Sequence, residues 1–185
     1  MKMKNILCLL VLMLMLACVE EQKERLTADE YVSAPYRLKM EKRTDSLYVV
    51  RLFVDGEQMD TLTLPYPVYR FDAGDLTGDG VPELTVGVTK PTKYWKEPAR
   101  RLFIYHLYHE RYIRPLWLGS RVGSPLVDFH VCRDSVPAVI HTVELHPDST
   151  TFSSEYRLQG FGLKFVKYLG AQLTINMPPD GTSPF

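Results

Sequence analysis

The chain has 185 residues, of which 45% are hydrophobic and 24% charged, an ordinary composition for a single globular domain with its own core. Its 22 basic and 22 acidic residues cancel, so the formal net charge is zero. This balance excludes a general electrostatic attraction to nucleic acid or to an anionic membrane surface, and we expect no nucleic acid partner.

The N-terminal segment has the layout of a secretory signal peptide. Lys2 and Lys4 precede an apolar run of 12 residues that ends at Ala17. A helix that crosses a bilayer needs about 20 apolar residues, so this run is too short to be a membrane span. We therefore expect residues 1–17 to be a leader that is removed.

The end of the leader resembles the lipobox of bacterial lipoproteins. Ala17 is followed by Cys18, while Met15 and Leu16 stand where Leu and a small residue are usual. The resemblance implies that Cys18 carries acyl chains, which anchor the domain to the membrane. Cleavage by an ordinary signal peptidase, or an uncleaved leader, is the alternative. Cys132 is then the remaining thiol, so no internal disulfide is expected.

Residues 18–34 are polar and lack periodicity, which predicts a lipid-anchored tether. The early acidic pair Glu20 and Glu21 is similar to the export signal of Bacteroidetes surface lipoproteins. That resemblance implies an outer-membrane lipoprotein of the cell envelope, either periplasmic or surface-exposed. An ordinary polar linker is the alternative.

From residue 35 to residue 175 the chain alternates short β-prone runs with Gly, Pro and Asp, the pattern of an all-β domain. Three antiparallel hairpins stand out. LYVVRLFV (47–54) meets Asp55-Gly56, a strong two-residue hairpin signal, before the chain returns. The other two candidates lie at 101–118 and 156–169. Residues 176–185 show no pattern, and we expect a flexible tail.

These hairpins recur at a fixed spacing. Leu47, Leu102 and Arg157 open them, each 55 residues after the last. FDAGDLTGDGVPELTVGV (71–88) and LVDFHVCRDSVPAVIHTV (126–143) also align at this offset. A period near 50 indicates an array of supersecondary units, so we predict about three blade-like units of antiparallel hairpins. Chance likeness among hairpins is the alternative explanation.

The turn at GDLTGDGVPELTVGV is similar to the GD-x-x-GDG-x-x-DL loop of FG-GAP and VCBS β-propeller repeats. In that family the loop joins two strands of a blade and often binds calcium. Propellers usually close with 4 to 8 blades, more than three units provide. The resemblance therefore implies either an open, propeller-like sheet assembly or a propeller completed by self-association.

The same turn carries the candidate calcium ligands. Read as an EF-hand, the loop fails, because Val86 stands where a bidentate carboxylate is required. The shorter FG-GAP register places the ligands at Asp75, Thr77, Asp79, the Val81 carbonyl and Glu83. A neutral threonine in this set predicts weak, structural calcium binding. A hydrogen-bonded Asx-type turn without metal is the alternative.

A basic loop with two aromatic residues is the candidate binding site. Lys93, Tyr94, Trp95 and Lys96 lie in the proline-flanked segment 91–98. An exposed aromatic pair there would stack on sugar rings or contact an acidic partner protein. In the alternative, the aromatic rings pack onto the sheet and the lysines are simply solvated.

Sequence motifs of catalysis are absent. The chain has no G-x-S-x-G, H-E-x-x-H or Gly-rich phosphate loop. We therefore expect a non-catalytic, lipid-anchored binding or structural protein that contacts a protein or a glycan. A small envelope hydrolase or a carbohydrate-active accessory protein is the alternative.

The anchor is tested by the intact mass of the protein purified from membranes. We expect a chain that begins at Cys18 and carries acyl groups, because the thiol is the acceptor of the lipid. The Cys18→Ser variant should retain its leader and carry no lipid. A mature mass that begins at Cys18 without added acyl groups would contradict lipidation.

Overall fold

The computed structural model describes residues 24–119 and 122–170. Within these ranges the chain forms thirteen β-strands and no helix, so none of the described segments is a helix that could cross a membrane. The strands are β1 Arg25–Leu26, β2 Glu30–Ser33, β3 Tyr36–Thr44, β4 Leu47–Val54, β5 Glu57–Leu64, β6 Val68–Gly74, β7 Glu83–Lys90, β8 Ala99–Tyr108, β9 Tyr112–Leu118, β10 Leu126–Cys132, β11 Val139–Leu145, β12 Thr151–Gln159 and β13 Gly162–Leu169. The all-β prediction is confirmed.

The strands form three open sheets, each made of strands that pair antiparallel with their neighbours in sequence. The first sheet has the order β1-β2-β3-β4-β5, the second β6-β7-β8-β9 and the third β10-β11-β12-β13. Such meanders need only short connections. The chain is therefore an open assembly of three successive antiparallel units.

The three predicted hairpins occupy equivalent places, as the last two strands of each sheet. The β4–β5 turn is Asp55-Gly56, and both residues have positive φ (52° and 84°), as a tight hairpin turn requires. The β8–β9 and β12–β13 pairs follow the predicted pattern at 101–118 and 156–169. Local turn chemistry and alternation were sufficient to locate them.

The prediction of a tether over residues 18–34 is wrong from Arg25 onward. β1 and β2 belong to the first sheet, and Tyr31 is only 2% exposed. Tyr31 is buried because it packs in the core between the first and second sheets. The folded domain thus includes residues before 35. Residues 1–17, Cys18 and the tail 176–185 lie outside the described residues.

The second sheet lies between the other two and buries both of its faces. One face, which includes Val86 and Phe103, packs against Leu52 and its neighbours in the first sheet. The other face carries Leu102 and Ile104, which pack with Phe129, Val131 and Ile140 of the third sheet. Burial of apolar surface at these two interfaces is the main source of stability.

Two charge pairs join β6 of the second sheet to β10 of the third. Arg70 forms a two-bond ion pair with Asp128, with Nε to Oδ1 at 2.9 Å. In the second pair the acidic residue is on β6 and the basic residue directly follows β10. Asp72 accepts a hydrogen bond from Arg133 and another, at 2.8 Å, from the amide of Val131. Burial raises the pKa of Asp72, and the Arg133 guanidinium opposes that rise.

The two segments approach too closely for any side chain at Gly74. A Cβ placed there would lie 2.8 Å from Val131 Cγ1, inside the distance that real contacts allow. A Cβ at this position would also lie 3.5 Å from the side chain of Arg133. The contact between these sheets thus combines a close backbone approach with two buried or half-buried ion pairs.

Side chains of a neighbouring sheet also cap the unpaired main-chain groups of edge strands. At β10, Asp72 accepts the Val131 amide and Arg100 donates to the Val127 carbonyl. At β9, the Ile113 amide donates to Asp60 Oδ2 of β5 at 2.9 Å. Such caps satisfy hydrogen-bonding groups that would otherwise template pairing with another chain.

The Asp72→Asn substitution should lower the free energy of unfolding by roughly 2–4 kcal/mol, because it leaves the Arg133 charge without its partner at a closely packed interface. Urea denaturation measures this loss. The matched control is Asp45→Asn, which removes an exposed carboxylate paired with Lys42 and should change stability little. Equal denaturation midpoints for the two variants would contradict the role of Asp72.

Candidate functional site

A groove of about 670 Å³ opens between the β7–β8 loop (residues 91–98) and the segment that enters the third sheet (residues 122–127). We call it the loop groove. Its lining is mainly apolar and includes Trp95, Pro98, Leu102, Leu126 and Leu145. The volume falls within the roughly 300–1,000 Å³ typical of small-molecule sites. The loop groove is therefore large enough to hold a ligand.

The aromatic pair of the loop is exposed, so the alternative in which both rings pack onto the sheet is wrong. Tyr94 is 89% exposed and Trp95 is 62% exposed. A closed turn orients the tryptophan: the Thr92 amide donates to the Trp95 carbonyl at 2.7 Å, and the Trp95 amide donates to Thr92 Oγ1 at 3.0 Å. Trp95 thereby stands at the rim of the loop groove.

The predicted binding residues do not all meet at one place. Trp95 lines the loop groove, whereas Lys93, Tyr94 and Lys96 lie outside its lining and face solvent. The Lys93 ammonium lies 5.6 Å from the centre of the Tyr94 ring, close enough for a weak cation–π contact. These three side chains form a cationic, aromatic rim beside the opening.

A buried carboxylate that the sequence analysis missed supports the opposite wall. Glu144 of β11 is fully buried, and its carboxylate accepts hydrogen bonds from the Ser124 amide at 2.6 Å, Thr142 Oγ1 at 2.8 Å and the Tyr156 hydroxyl at 3.0 Å. The Gly123 amide donates in turn to the Tyr156 hydroxyl at 3.0 Å. These bonds hold segment 122–125 in place, and with it one side of the loop groove.

In the 75–83 turn, Asp75 binds the main chain of its own loop. Its Oδ1 accepts the amides of Gly78 at 2.6 Å and Asp79 at 3.2 Å, and its Oδ2 accepts the Gly80 amide at 2.9 Å. Asp79 Oδ1 accepts the Val81 amide at 2.9 Å. These are the bonds of the Asx-type turn that was the alternative to calcium.

Glu83 is turned inward rather than toward the other carboxylates. It is 2% exposed, and its Oε2 accepts the amides of Leu76 at 2.8 Å and Thr77 at 3.2 Å. Burial raises the pKa of Glu83 to about 8, and the nearby charges of Asp79 and Asp75 add to the rise. The carboxyl group thus holds its proton through neutral pH in the folded state.

In the structure, the carboxylates of the 75–83 turn are bound to main-chain amides. Within residues 24–119 and 122–170, no three His, Cys, Asp or Glu side chains lie close enough together to hold a metal ion. Asp75 and Glu83 bind separate sets of amides, and Thr77 contributes its amide to Glu83. Calcium at Asp75, Thr77, Asp79, Val81 and Glu83 stays a prediction that requires Glu83 to leave its present partners.

The turn instead docks onto its repeat. The Ala138 amide donates to the Asp75 carbonyl at 2.7 Å, and Pro137 packs against Gly78, where a Cβ would lie 3.5 Å from the proline ring. Pro137 and Ala138 stand 55 residues after Pro82 and Glu83. The two copies of the turn are therefore neighbours in space, and each helps to position the other.

Comparison of the chain with protein-family models, with curated proteins and with solved structures finds no match. The likeness to FG-GAP and VCBS repeats stays a resemblance carried by the 75–83 turn and its repeat. The likeness of the leader to a lipobox likewise stays a resemblance. Function must be inferred from the site itself.

Stability should fall as the pH rises from about 4.5 to about 8, because Glu83 keeps its proton in the folded chain but not in the unfolded chain over this range. Below that range the carboxyl is protonated in both states, and above it the carboxyl is charged in both. The expected total loss is roughly 5 kcal/mol, from ~1.4 kcal/mol for each pH unit between the pKa of the unfolded chain and that of the folded chain.

The Glu83→Gln variant mimics the protonated carboxyl and should flatten this pH dependence in urea denaturation. Glu57→Gln, a change at an exposed position on β5, is the control and should keep the parental pH profile. If Glu83→Gln retains the parental slope between pH 5 and 8, the proton is not held at Glu83.

Proposed function

We propose that this protein is a non-catalytic binding protein of the cell envelope, anchored by lipid on Cys18 and displayed on one side of the outer membrane. The observation that carries the binding function is Trp95, which is 62% exposed at the rim of an apolar groove of about 670 Å³. Exposed tryptophan beside a concave apolar surface is typical of interaction sites.

The walls of the loop groove support binding because both are held by hydrogen bonds. The turn at Thr92 orients one wall, and Glu144 holds the other through Ser124. A preorganised site spends less free energy on ordering when its ligand arrives. The groove is thus suited to recognition without large rearrangement.

The arrangement of carboxylates favours binding over hydrolysis. Glu83 and Glu144 are the fully buried glutamates, they lie on different sheets, and each accepts hydrogen bonds from main-chain amides. Neither lines the loop groove. A pair of carboxylates for glycoside hydrolysis has to flank the scissile bond at the surface of a cleft.

The chemistry of the loop groove limits its ligand to a molecule with an apolar part. Aliphatic side chains such as Leu126 and Leu145 line its interior, and the charged residues Glu97, Arg100 and Arg101 also belong to its lining. Lys93 and Lys96 are exposed on either side of Tyr94 and Trp95 in the same loop. A protein segment with apolar and acidic side chains, or a glycan with a ring stacked on Trp95, has this character.

Binding is tested with the dye 8-anilinonaphthalene-1-sulfonate, an aromatic anion that takes up apolar sites. In a Trp117→Phe background the dye should quench Trp95, and Trp95→Ala should weaken dye binding about five- to tenfold, since an aromatic contact is worth ~1 kcal/mol. Leu145→Glu should abolish it by placing in the groove a charge of the same sign as the sulfonate of the dye.

The control is Tyr112→Ala, which removes an exposed ring of β9 away from the loop groove and should leave dye binding unchanged. Circular dichroism checks that each variant is folded. Dye binding that neither Trp95→Ala nor Leu145→Glu alters would show that the loop groove is not the site.

A further inference from the structure

β13 (Gly162–Leu169) is the outer edge of the third sheet and is exposed along most of its length. Its exposed side chains include Phe165, Val166 and Tyr168, the last at 69%. No other strand of the described chain combines an outer edge with so many exposed large apolar residues. Exposed apolar edges are sites at which sheets acquire further strands.

Aromatic rings form a continuous row beside this edge. Phe152 stacks against His146 at 4.1 Å between ring centres, and Tyr168 lies 5.7 Å from Phe152 and 4.8 Å from Phe165. Rings that contact one another in this way lose little conformational freedom when a partner covers them. The row is thus a preformed apolar surface along β12 and β13.

The main chain of β13 lacks the caps from a neighbouring sheet that protect β9 and β10. At β9 the Ile113 amide binds Asp60, and at β10 the Val131 amide binds Asp72. Within the described residues, no side chain forms a hydrogen bond to the main chain of β13. Each of the capped amides takes a carboxylate from a neighbouring sheet.

The repeat explains the missing cap. Asp60 caps Ile113, and the residues 55 positions later are Pro115 and Tyr168. Pro115 has no carboxylate, so the second sheet cannot offer to β13 what the first sheet offers to β9. The third sheet has a strand at the position equivalent to β9, but the second sheet has no acidic side chain at the position equivalent to Asp60.

The charge of β13 favours an acidic partner over a second copy of the chain. The strand carries Lys164 and Lys167 and no acidic residue. The Lys167 ammonium forms an ion pair with the Glu155 carboxylate at 3.4 Å, whereas Lys164 has no ion pair within the described residues. Antiparallel self-pairing centred between Phe165 and Val166 would place Lys164 opposite Lys167, and like charges in that position are destabilising.

We propose that β13 pairs with an extended acidic segment of a partner protein, which adds a fifth strand to the third sheet. Main-chain hydrogen bonds to the open edge supply the pairing, as in other cases of strand addition. Carboxylates of the partner meet Lys164 and Lys167, and its apolar side chains cover the aromatic row. This surface is separate from the loop groove.

The proposal is tested with fluorescein-labelled peptides of the length of β13, one alternating valine with glutamate and one alternating valine with lysine. Fluorescence anisotropy should show the acidic peptide binding at least about tenfold more tightly, an electrostatic difference of ~1.4 kcal/mol. The double variant Lys164→Glu, Lys167→Glu should reverse this preference, whereas Lys42→Glu, at an exposed position of β3 in the first sheet, should not.

Backbone pairing is tested by N-methylation of the acidic peptide at either its odd or its even residues. Only alternate amides of an added strand face the sheet, so one methylated isomer should lose binding and the other keep it. Equal binding of both isomers would overturn strand addition.

Two further results would also overturn the proposal. If Trp95→Ala abolishes binding of the peptide, the peptide occupies the loop groove and not β13. If the purified domain sediments as a dimer that the double lysine variant disrupts, the edge is taken by a second copy. A monomer that binds the acidic peptide with Trp95 replaced supports the proposal independently of the loop groove.

Discussion

The Asp72 carboxylate joins the second sheet to the third, and the arrangement of the molecule depends on it. It accepts the amide of Val131 on the open edge of β10 and pairs with Arg133, whose guanidinium also lies 5.6 Å from the Tyr31 ring of the first sheet. All three sheets therefore meet near one ion pair. The loop groove depends on this contact, because Trp95 stands on the second sheet and Leu145 on the third.

The sequence predicted what local chemistry determines. The Asp55-Gly56 turn and the strict alternation of its flanking strands located β4 and β5 to the residue. The sequence did not predict β1 and β2, because Tyr31 is buried by residues of a distant sheet. The loop groove was missed for the same reason: Trp95 and Leu145 are 50 positions apart, and only tertiary packing brings them together. The exposure of Trp95 could not be predicted either, because it depends on which distant segments pack against the β7–β8 loop.

The 75–83 turn shows how one sequence pattern can serve two physical ends. Closely spaced carboxylates suit a calcium ion, yet the same side chains also suit main-chain amides that a tight turn leaves unpaired. In this fold Asp75 and Glu83 bind amides, and the Asp75 carbonyl receives the amide of Ala138 from the repeated turn.

The central position of the second sheet makes the three units unequal partners. The first and third sheets each bury one face against the second sheet, whereas the second sheet buries both of its faces. Loss of the third sheet would expose Leu102, Ile104 and Leu116 of the second sheet to water. An exposed apolar patch of this kind promotes association with other chains. The chain is therefore repetitive in its strands but not divisible into its repeats. A chain shortened from the C-terminal side, without the third sheet, would therefore associate with other chains through the exposed face of its second sheet.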